Sequence, residues 1–525
     1  MIQSLLRTPI RLLFAALCFV SPARTDSLHI AVASLPPSLG NPYTATALPA
    51  TELWMAVFDP LVRITYGSDG EPGLALSWEH TSPYRWVFRL RDNVTFHNGR
   101  AFTANDVVKV LSYLQTKEAA KYLIASEMRH LASIRALDSL TVEIRTSVPD
   151  AILPRRLTFV MMVEPDLWSE LGVDGFTASP VGTGPYQLID WGQGNAAATL
   201  KPHSTSWRRP RTDATVVYRA VRDRTSRLQS LASGEVDIIT GLHVDDVADL
   251  EALGFNVFVQ PNGQIKSIAL PNVREGNHPL KNPQVRRALN MAIDKNAISK
   301  LILNGTVEVA SQGAAPGIFG FNPDLAPYPY DPVRARRIMA EAGFPNGFSL
   351  GIGVLTASTT PDDIVFQKVA QDLRQVGLIV ELRQLPYSDF VRRFNSGRWE
   401  DLDAFSLIWN NATFQDSIWP IEYFSCLRAN PFFCDAELTP MILAAKQEMD
   451  SAKRENLQRN IMARLHDLAP AIWLTDSVHV IAATKEIAGL SLQPTGLQLE
   501  RLTKAIKAEN KWRLREAPKF ESFKD

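Results

Sequence analysis

Ser349-Leu350-Gly351-Ile352-Gly353-Val354-Leu355-Thr356 is an apolar run of strand length, and a helical pattern follows it. That pattern runs from Asp363 to Val376, beginning after Pro361 and ending at Gly377, with Phe366, Val369, Ala370 and Leu373 on one face. Leu378 to Leu382 is again strand-like. Ser388 is placed to cap a short helix to Asn395, and Ala404 to Trp409 is a third strand. A β-α-β-α-β run demands parallel strands joined by right-handed crossovers, so the fold class is α/β. Ligands of open α/β sheets lie beyond the carboxyl ends of the strands. Two such ends are Thr356-Ala357-Ser358 and Trp409-Asn410-Asn411, and a cleft is expected there.

The pattern continues on both sides of this segment. Asn282 caps a helix that has Pro283 in its first turn and a buried stripe of Val285, Ala288, Leu289, Ala292 and Ile293. Asp331-Pro332 begins another, which stops at Gly343. Nearer the start, Leu28 to Ala33 reads as a buried strand, and Arg85 to Leu90 and Leu140 to Ile144 alternate as half-buried strands. Thr103 and Asp106 make a capping box for a helix to Leu114, whose inner face is Val107, Val110, Leu111 and Leu114. Residues 61–178 therefore read as a small β-rich subdomain.

The 525 residues carry 55 basic and 55 acidic side chains, so no net field draws the chain to nucleic acid or anionic lipid. That length exceeds one core, and two or three domains are expected. Arg7 and Arg11 flank the apolar run Leu12 to Val20, and Ser21-Pro22-Ala23 supplies small residues at the positions a signal peptidase reads. Residues 1–23 are thus expected to be a signal peptide cleaved after Ala23, leaving a periplasmic protein without a membrane anchor. Cys18 raises a lipoprotein alternative, but Leu17 stands where a lipobox wants a small residue. Cys426 and Cys434, in an oxidising compartment, read as a disulfide closing a short loop, which contributes about 2–3 kcal/mol in the chain-entropy model.

Six segments then occur in a fixed order. They are Phe58-Asp59-Pro60-Leu61-Val62 with Gly70-Glu71-Pro72-Gly73-Leu74-Ala75; Val94-Thr95-Phe96-His97-Asn98-Gly99-Arg100; Phe102-Thr103-Ala104-Asn105-Asp106-Val107; Val181-Gly182-Thr183-Gly184-Pro185-Tyr186; Ser233-Gly234-Glu235-Val236-Asp237; and Val285-Arg286-Arg287-Ala288-Leu289-Asn290-Met291-Ala292-Ile293-Asp294. Together they resemble the family 5 extracellular solute-binding proteins, the receptors of peptide/nickel-type ABC importers, over nearly everything after residue 28. The resemblance implies a two-lobed periplasmic-binding-protein fold of type II, with the extra β-rich subdomain, and a binding protein rather than an enzyme. It implies lobe I over 24–265, lobe II over 266–476, and a return to lobe I over 477–525. Crossing segments near Asn262–Asn272 and Thr475–Ile487 are the implied hinge, and the ligand is expected in the interlobe cleft.

The expected solute contacts are Trp409, Asn410, Asn411, Thr356, Ser358 and Thr46. A ring at a strand end followed by two amides suits a polar organic solute, the ring covering an apolar face. Against this stands the reading of Trp409 as core and the asparagines as a turn. His97, in a tight Asn98-Gly99 turn, reads as a structural histidine. The other histidines are scattered, so no metal set and no cofactor are expected. Gly182 to Pro185 lacks the lysine of a phosphate loop and reads as a strand-entry turn. Arg286, Arg287, Arg334, Arg336 and Arg337 are expected on solvated helix faces. No catalytic motif is present, which counts against a secreted hydrolase.

Many peptide-binding members of the family place an Asp soon after the Trp, and dipeptide-type members an Arg near the earlier strand end. Here Asp416 is the first acid after Trp409, and no Arg or Lys lies between Gly347 and Asp363. Both charges of a free dipeptide need partners in a closed cleft. The expected solute is therefore peptide-like with blocked or distant ends, or else a neutral oligosaccharide. The expected partners are that solute and an inner-membrane ABC permease, with the receptor a monomer. A sensory receptor using the same closed state is the alternative role.

Overall fold

Strand β1 (Ser27–Val32) opens the chain in the computed structural model, which describes residues 27–505 apart from 46–47, 69, 275, 356–361 and 400. The expected signal peptide, residues 1–23, and its Cys18 lie outside the described residues. The alternating segments form β2 (Ala75–Ser82), β3 (Arg85–Leu90), β4 (Leu131–Asp138) and β5 (Thr141–Thr146), a separate antiparallel sheet in the order β2-β3-β5-β4. Trp86, Phe88 and Leu90 are buried on it, as their alternation predicts. Helix α1 (Ala104–Leu114) covers this sheet and has the capping box, with Asp106 accepting from the Thr103 N–H. Short helix α2 (Leu153–Arg156) follows.

The main sheet has ten strands. The chain enters it again at β6 (Tyr186–Asp190), β7 (Ala197–Pro202), β8 (Thr215–Ala220) and β9 (Ile238–Ile239), and then runs along the long strand β10 (Asn256–Ala269). After helices α3 (Pro283–Met291) and α4 (Pro332–Glu341) come β11 (Ser349–Leu355), α5 (Asp362–Gln375), β12 (Ile379–Leu385), α6 (Tyr387–Ser396) and β13 (Ala404–Asn410). Helix α7 (Ser451–Leu468) leads to the last long strand, β14 (Ala471–Ala483). The order is β12-β11-β13-β10-β14-β9-β1-β8-β7-β6. β11 is parallel to both β12 and β13, as the β-α-β-α-β reading requires.

The helices follow their sequence signals closely. Asn282 accepts from the Gln284 N–H to cap α3, and Val285, Ala288, Leu289, Ala292 and Ile293 are all buried. Phe366, Val369, Ala370 and Leu373 are likewise buried under α5. Helix α6 differs in one respect: it starts at Tyr387 with Pro386 at the cap position, so Ser388 lies inside the helix and does not cap it. His97 is structural, as expected. Its Nδ1 accepts from the Gly182 N–H at 3.3 Å and its Nε2 donates to the Gly184 carbonyl at 3.1 Å, while burial pulls its pKa down to about 4. The glycine-rich turn enters β6, with Thr183 Oγ1 donating to Asp59 Oδ2 at 2.8 Å.

Arg334, Arg336 and Arg337 are exposed, but Arg286 overturns the expectation of a solvated face. Its guanidinium is buried at the end of α7, donating to the carbonyls of Leu468, Ala469, Leu280 and Lys281. A helix leaves its last four carbonyls without intrahelical donors, and Arg286 supplies a donor to that of Leu468, and to that of Ala469 just beyond it, from another helix. Burial lowers its pKa to about 10, which still leaves it charged at neutral pH. Arg286→Ala orphans several buried carbonyls at roughly 1–3 kcal/mol each. The variant is expected to lose at least about 3 kcal/mol of stability, read from the shift of its urea midpoint; a loss below about 1 kcal/mol refutes the capping role.

Candidate functional site

Strand directions place the site. β1 is parallel to β8 and β9, and both β9 and β10 are antiparallel to β14. The four strands β1, β8, β9 and β10 therefore run the same way. β13 is antiparallel to β10, and β11 is parallel to β13. It follows that the carboxyl ends of β1, β8 and β9 point toward those of β11 and β13, with β10 and β14 spanning the gap. Both sets of ends are of the kind at which α/β sheets bind ligands.

The wall of this gap is polar where β10 breaks register. The pairing of β10 with β14 shifts between Pro261 and Ile265, around Gly263 at φ +74°, where a Cβ would also lie 2.9 Å from Ile318 Cδ1. Asn262 Oδ1 accepts from the Gln264 N–H at 3.0 Å, and its Nδ2 donates to Ser477 Oγ at 3.3 Å. Gln264 Nε2 donates to Asn410 Oδ1 at 3.3 Å, and Asn410 Nδ2 to Thr413 Oγ1 at 3.0 Å. Lys266, two residues along β10 and opposite Ile408 of β13, is ion-paired with Asp362 at the start of α5. Burial pulls the Lys266 ammonium below the usual lysine range, and the Asp362 carboxylate acts against that.

The structure brings Asn410 into this row but places its neighbours elsewhere. Trp409 is 1% exposed. It stacks on Phe424 at 4.1 Å between centroids and meets Trp473 edge-on at 4.7 Å. Gly313 lies so close that a Cβ there would stand 2.2 Å from the indole Cε3. The ring is thus enclosed by protein in this arrangement and offers no open face to a solute. Asn411 is 0% exposed, with its Nδ2 donating to the Gly313 carbonyl at 2.8 Å. Thr356, Ser358 and Thr46 lie outside the described residues. Cys426 and Cys434 are disulfide-bonded, with Cα atoms 4.6 Å apart.

Asp416 is fully buried and ion-paired with Arg454 at 2.5 Å, so it does not stand in for the acid that the family pattern places after the Trp. Among the described residues no group of three or more His, Cys, Asp or Glu is arranged to hold a metal ion. Sequence reasoning did not single out Asn262, Gln264 and Lys266. Their signal is the alternation of polar Gln260, Asn262, Gln264 and Lys266 along the strand.

This is the arrangement of a two-lobed type II periplasmic binding protein. The family model for the middle region of bacterial extracellular solute-binding proteins, family 5, matches residues 70–431, and the chain belongs to that family. The glutathione-binding protein GsiB of Pectobacterium atrosepticum is 26% identical over 429 residues, 78% of this chain and 81% of that one. Heme-binding protein A of Haemophilus influenzae is 26% identical over 475 residues, 84% of this chain and 85% of that one. The ABC transporter-associated periplasmic binding protein DppA from Helicobacter pylori, solved with the peptide STSA, superposes with a TM-score of 0.74 at 24% identity, covering 91% of this chain and 98% of that one. The family consists of solute receptors of ABC importers, so the chain is a binding protein and not an enzyme. No described helix is long and apolar enough to cross a membrane.

Two predictions concern the wall and its support. Trp409→Ala empties a closed aromatic cluster and is expected to cost about 3–5 kcal/mol of stability, measured by urea unfolding. A loss below about 1 kcal/mol contradicts the packing role. Asp476, 8% exposed on β14, has its pKa raised to about 6 from the ordinary 3.8 by burial, with the Glu308 carboxylate adding and the Glu308 N–H opposing. The native state therefore binds that proton more tightly than the unfolded chain. Its contribution to stability is full below about pH 4 and is lost as pH rises through about 6, a change of roughly 3 kcal/mol. Asp476→Asn should flatten this part of the stability–pH curve, and an unchanged slope between pH 4 and 6 removes Asp476 as its source.

Proposed function

We propose that the chain is a periplasmic receptor that closes two lobes, 24–265 with 477–525 and 266–476, around a peptide-like solute with charged ends. The closed form is then what an ABC permease recognises. The observation that carries this reading is the pairing of Lys266 with Asp362 beside the amide row Asn262, Gln264 and Asn410. An ammonium and a carboxylate thus stand at the strand ends where the segment 347–363 alone offered no cation. Backbone-like amides suit a peptide backbone, and opposite charges suit its termini. Glutathione, a tripeptide with an ammonium and two carboxylates, presents these groups, and the name of one relative supports it as the first probe. A neutral oligosaccharide leaves the pair intact and gains nothing from it, so it would bind through the amide row alone.

A thermal-shift screen with glutathione, free and blocked dipeptides, tetrapeptides, haem and neutral oligosaccharides tests the proposal. A solute at about 100 times its Kd adds roughly 2.7 kcal/mol of stability. Shifts are expected with glutathione or free peptides, and a shift with oligosaccharides alone overturns the reading. The double variant Lys266→Gln with Asp362→Asn removes both charges while keeping hydrogen-bonding groups. Its Kd for the charged solute, by calorimetry, is expected to rise at least tenfold (about 1.4 kcal/mol).

A further inference from the structure

The turn that follows the candidate cleft strand is gripped by a residue from the other half of the molecule. Arg155, in α2, is 3% exposed, and its Nη1 donates to the carbonyls of Phe414 at 2.9 Å and Gln415 at 2.7 Å. Its Nε lies 3.8 Å from Asp416 Oδ2. On its own side the Asp416 carboxylate accepts from Arg454 at 2.5 Å, from Gln458 Nε2 at 3.0 Å and from the Ile418 N–H at 3.0 Å. The Phe319 ring lies beneath both guanidinium groups, 5.3 Å from Arg155 and 4.0 Å from Arg454. Phe414 itself joins the core of the N-terminal half, edge-on to Phe159 with centroids 6.0 Å apart.

Two consecutive carbonyls and a carboxylate thus converge on one guanidinium that approaches from outside the C-terminal half. Gln415, between Phe414 and Asp416, sits at φ +50°, a conformation that side chains other than glycine adopt rarely and that persists when its surroundings hold it. Asp416 keeps Arg454 and Gln458 whether or not Arg155 is present, so its charge is satisfied within its own half. Arg155 is therefore not needed to neutralise Asp416. The contacts it makes with Phe414, Gln415 and Asp416 exist only while the two halves are together. They fall on the residues directly after Thr413, whose hydroxyl accepts from Asn410 Nδ2 at 3.0 Å.

We propose that Arg155 is a positioning residue for solute capture, a latch that holds the closed arrangement and fixes the Asn410–Asp416 turn in its solute-facing form. The proposal rests on the receptor reading above. A residue that raises the closed fraction f raises apparent affinity without touching the solute, because the apparent Kd is the intrinsic Kd divided by f. The latch thereby sets part of the solute affinity from outside the cleft.

Arg155→Met removes the fork and keeps a buried apolar side chain, and Arg155→Lys keeps the charge without the fork. Three readouts on the purified protein separate the roles: melting temperature without ligand, Kd for glutathione by calorimetry, and radius of gyration by small-angle scattering. For Arg155→Met we expect a modest drop in melting temperature as two carbonyls lose their donor, a Kd raised at least tenfold, and a larger radius of gyration in the unliganded protein. Arg155→Lys should fall between the two, and it carries the test if Arg155→Met does not fold. A parent-like Kd and radius of gyration overturn the latch, as does a large drop in melting temperature with unchanged Kd. If the parent binds no glutathione, the solute reading fails, and the latch is then decided by the scattering comparison alone.

Discussion

One antiparallel ladder, β10 against β14, governs the architecture, because both halves of the main sheet are built outward from it. Strands β9, β1 and β8 are laid down from the β14 edge, and β13, β11 and β12 from the β10 edge. Once those two strands pair, the sense of every neighbour determines where its carboxyl end points. The opposition of the two sets of ends, and with it the cleft, is a consequence of strand sense rather than of any one side chain. The ladder is also weakest where the cleft needs it to be. Pro261 has no N–H to donate, and pairing resumes only at Ile265. Asn262 makes good part of the loss by taking the Gln264 N–H on its side chain and reaching Ser477 across the gap. A joint held by side chains bends at lower cost than a continuous ladder, which suits a hinge.

The features legible in the sequence were those decided within a few residues. The capping box at Thr103 and Asp106, the Asn282 cap and the apolar stripes of α3 and α5 depend on neighbours one to four positions away. The β-α-β-α-β segment was legible for the same reason, since its elements differ in period and are bounded by Pro and Gly. The features that were not legible depend on partners far along the chain. Arg286 looks solvated in its own helix, but its acceptors lie at 468–469. Trp409 looks like a cleft ring until Gly313, Phe424 and Trp473 close around it. Lys266 enters the site through its register with Ile408, a long-range pairing that no local pattern announces.

The enclosed position of Trp409 bears on how the turn after it works. Asn410 is hydrogen-bonded to Thr413 across the start of this turn, and their placement depends on the strand end beneath them. Trp409 anchors that end in an aromatic cluster, and Asn411 ties it to the Gly313 carbonyl. Arg155 then fixes the far end of the same turn at Phe414 and Gln415. The turn is thus suspended between an anchor inside one half and a contact that requires both halves. A turn held at both ends loses less side-chain freedom when a solute arrives, which raises affinity without adding a contact.

On the receptor reading proposed above, the Lys266–Asp362 pair imposes a further selection on what can enter. In the structure the two charges satisfy each other, and an approaching solute would have to compete with that pairing. A solute offering only a carboxylate can take Lys266, but it leaves Asp362 partly buried with a weakened partner, and separating a buried pair in this way is strongly unfavourable. A solute offering only an ammonium has the converse difficulty. A zwitterionic solute can exchange both partners at once, so each charge keeps an opposite charge throughout. The pair thus discriminates by penalising the wrong charge pattern as well as by rewarding the right one. That discrimination is absent for a neutral solute, which gains nothing from either group and must bind through the amide row alone.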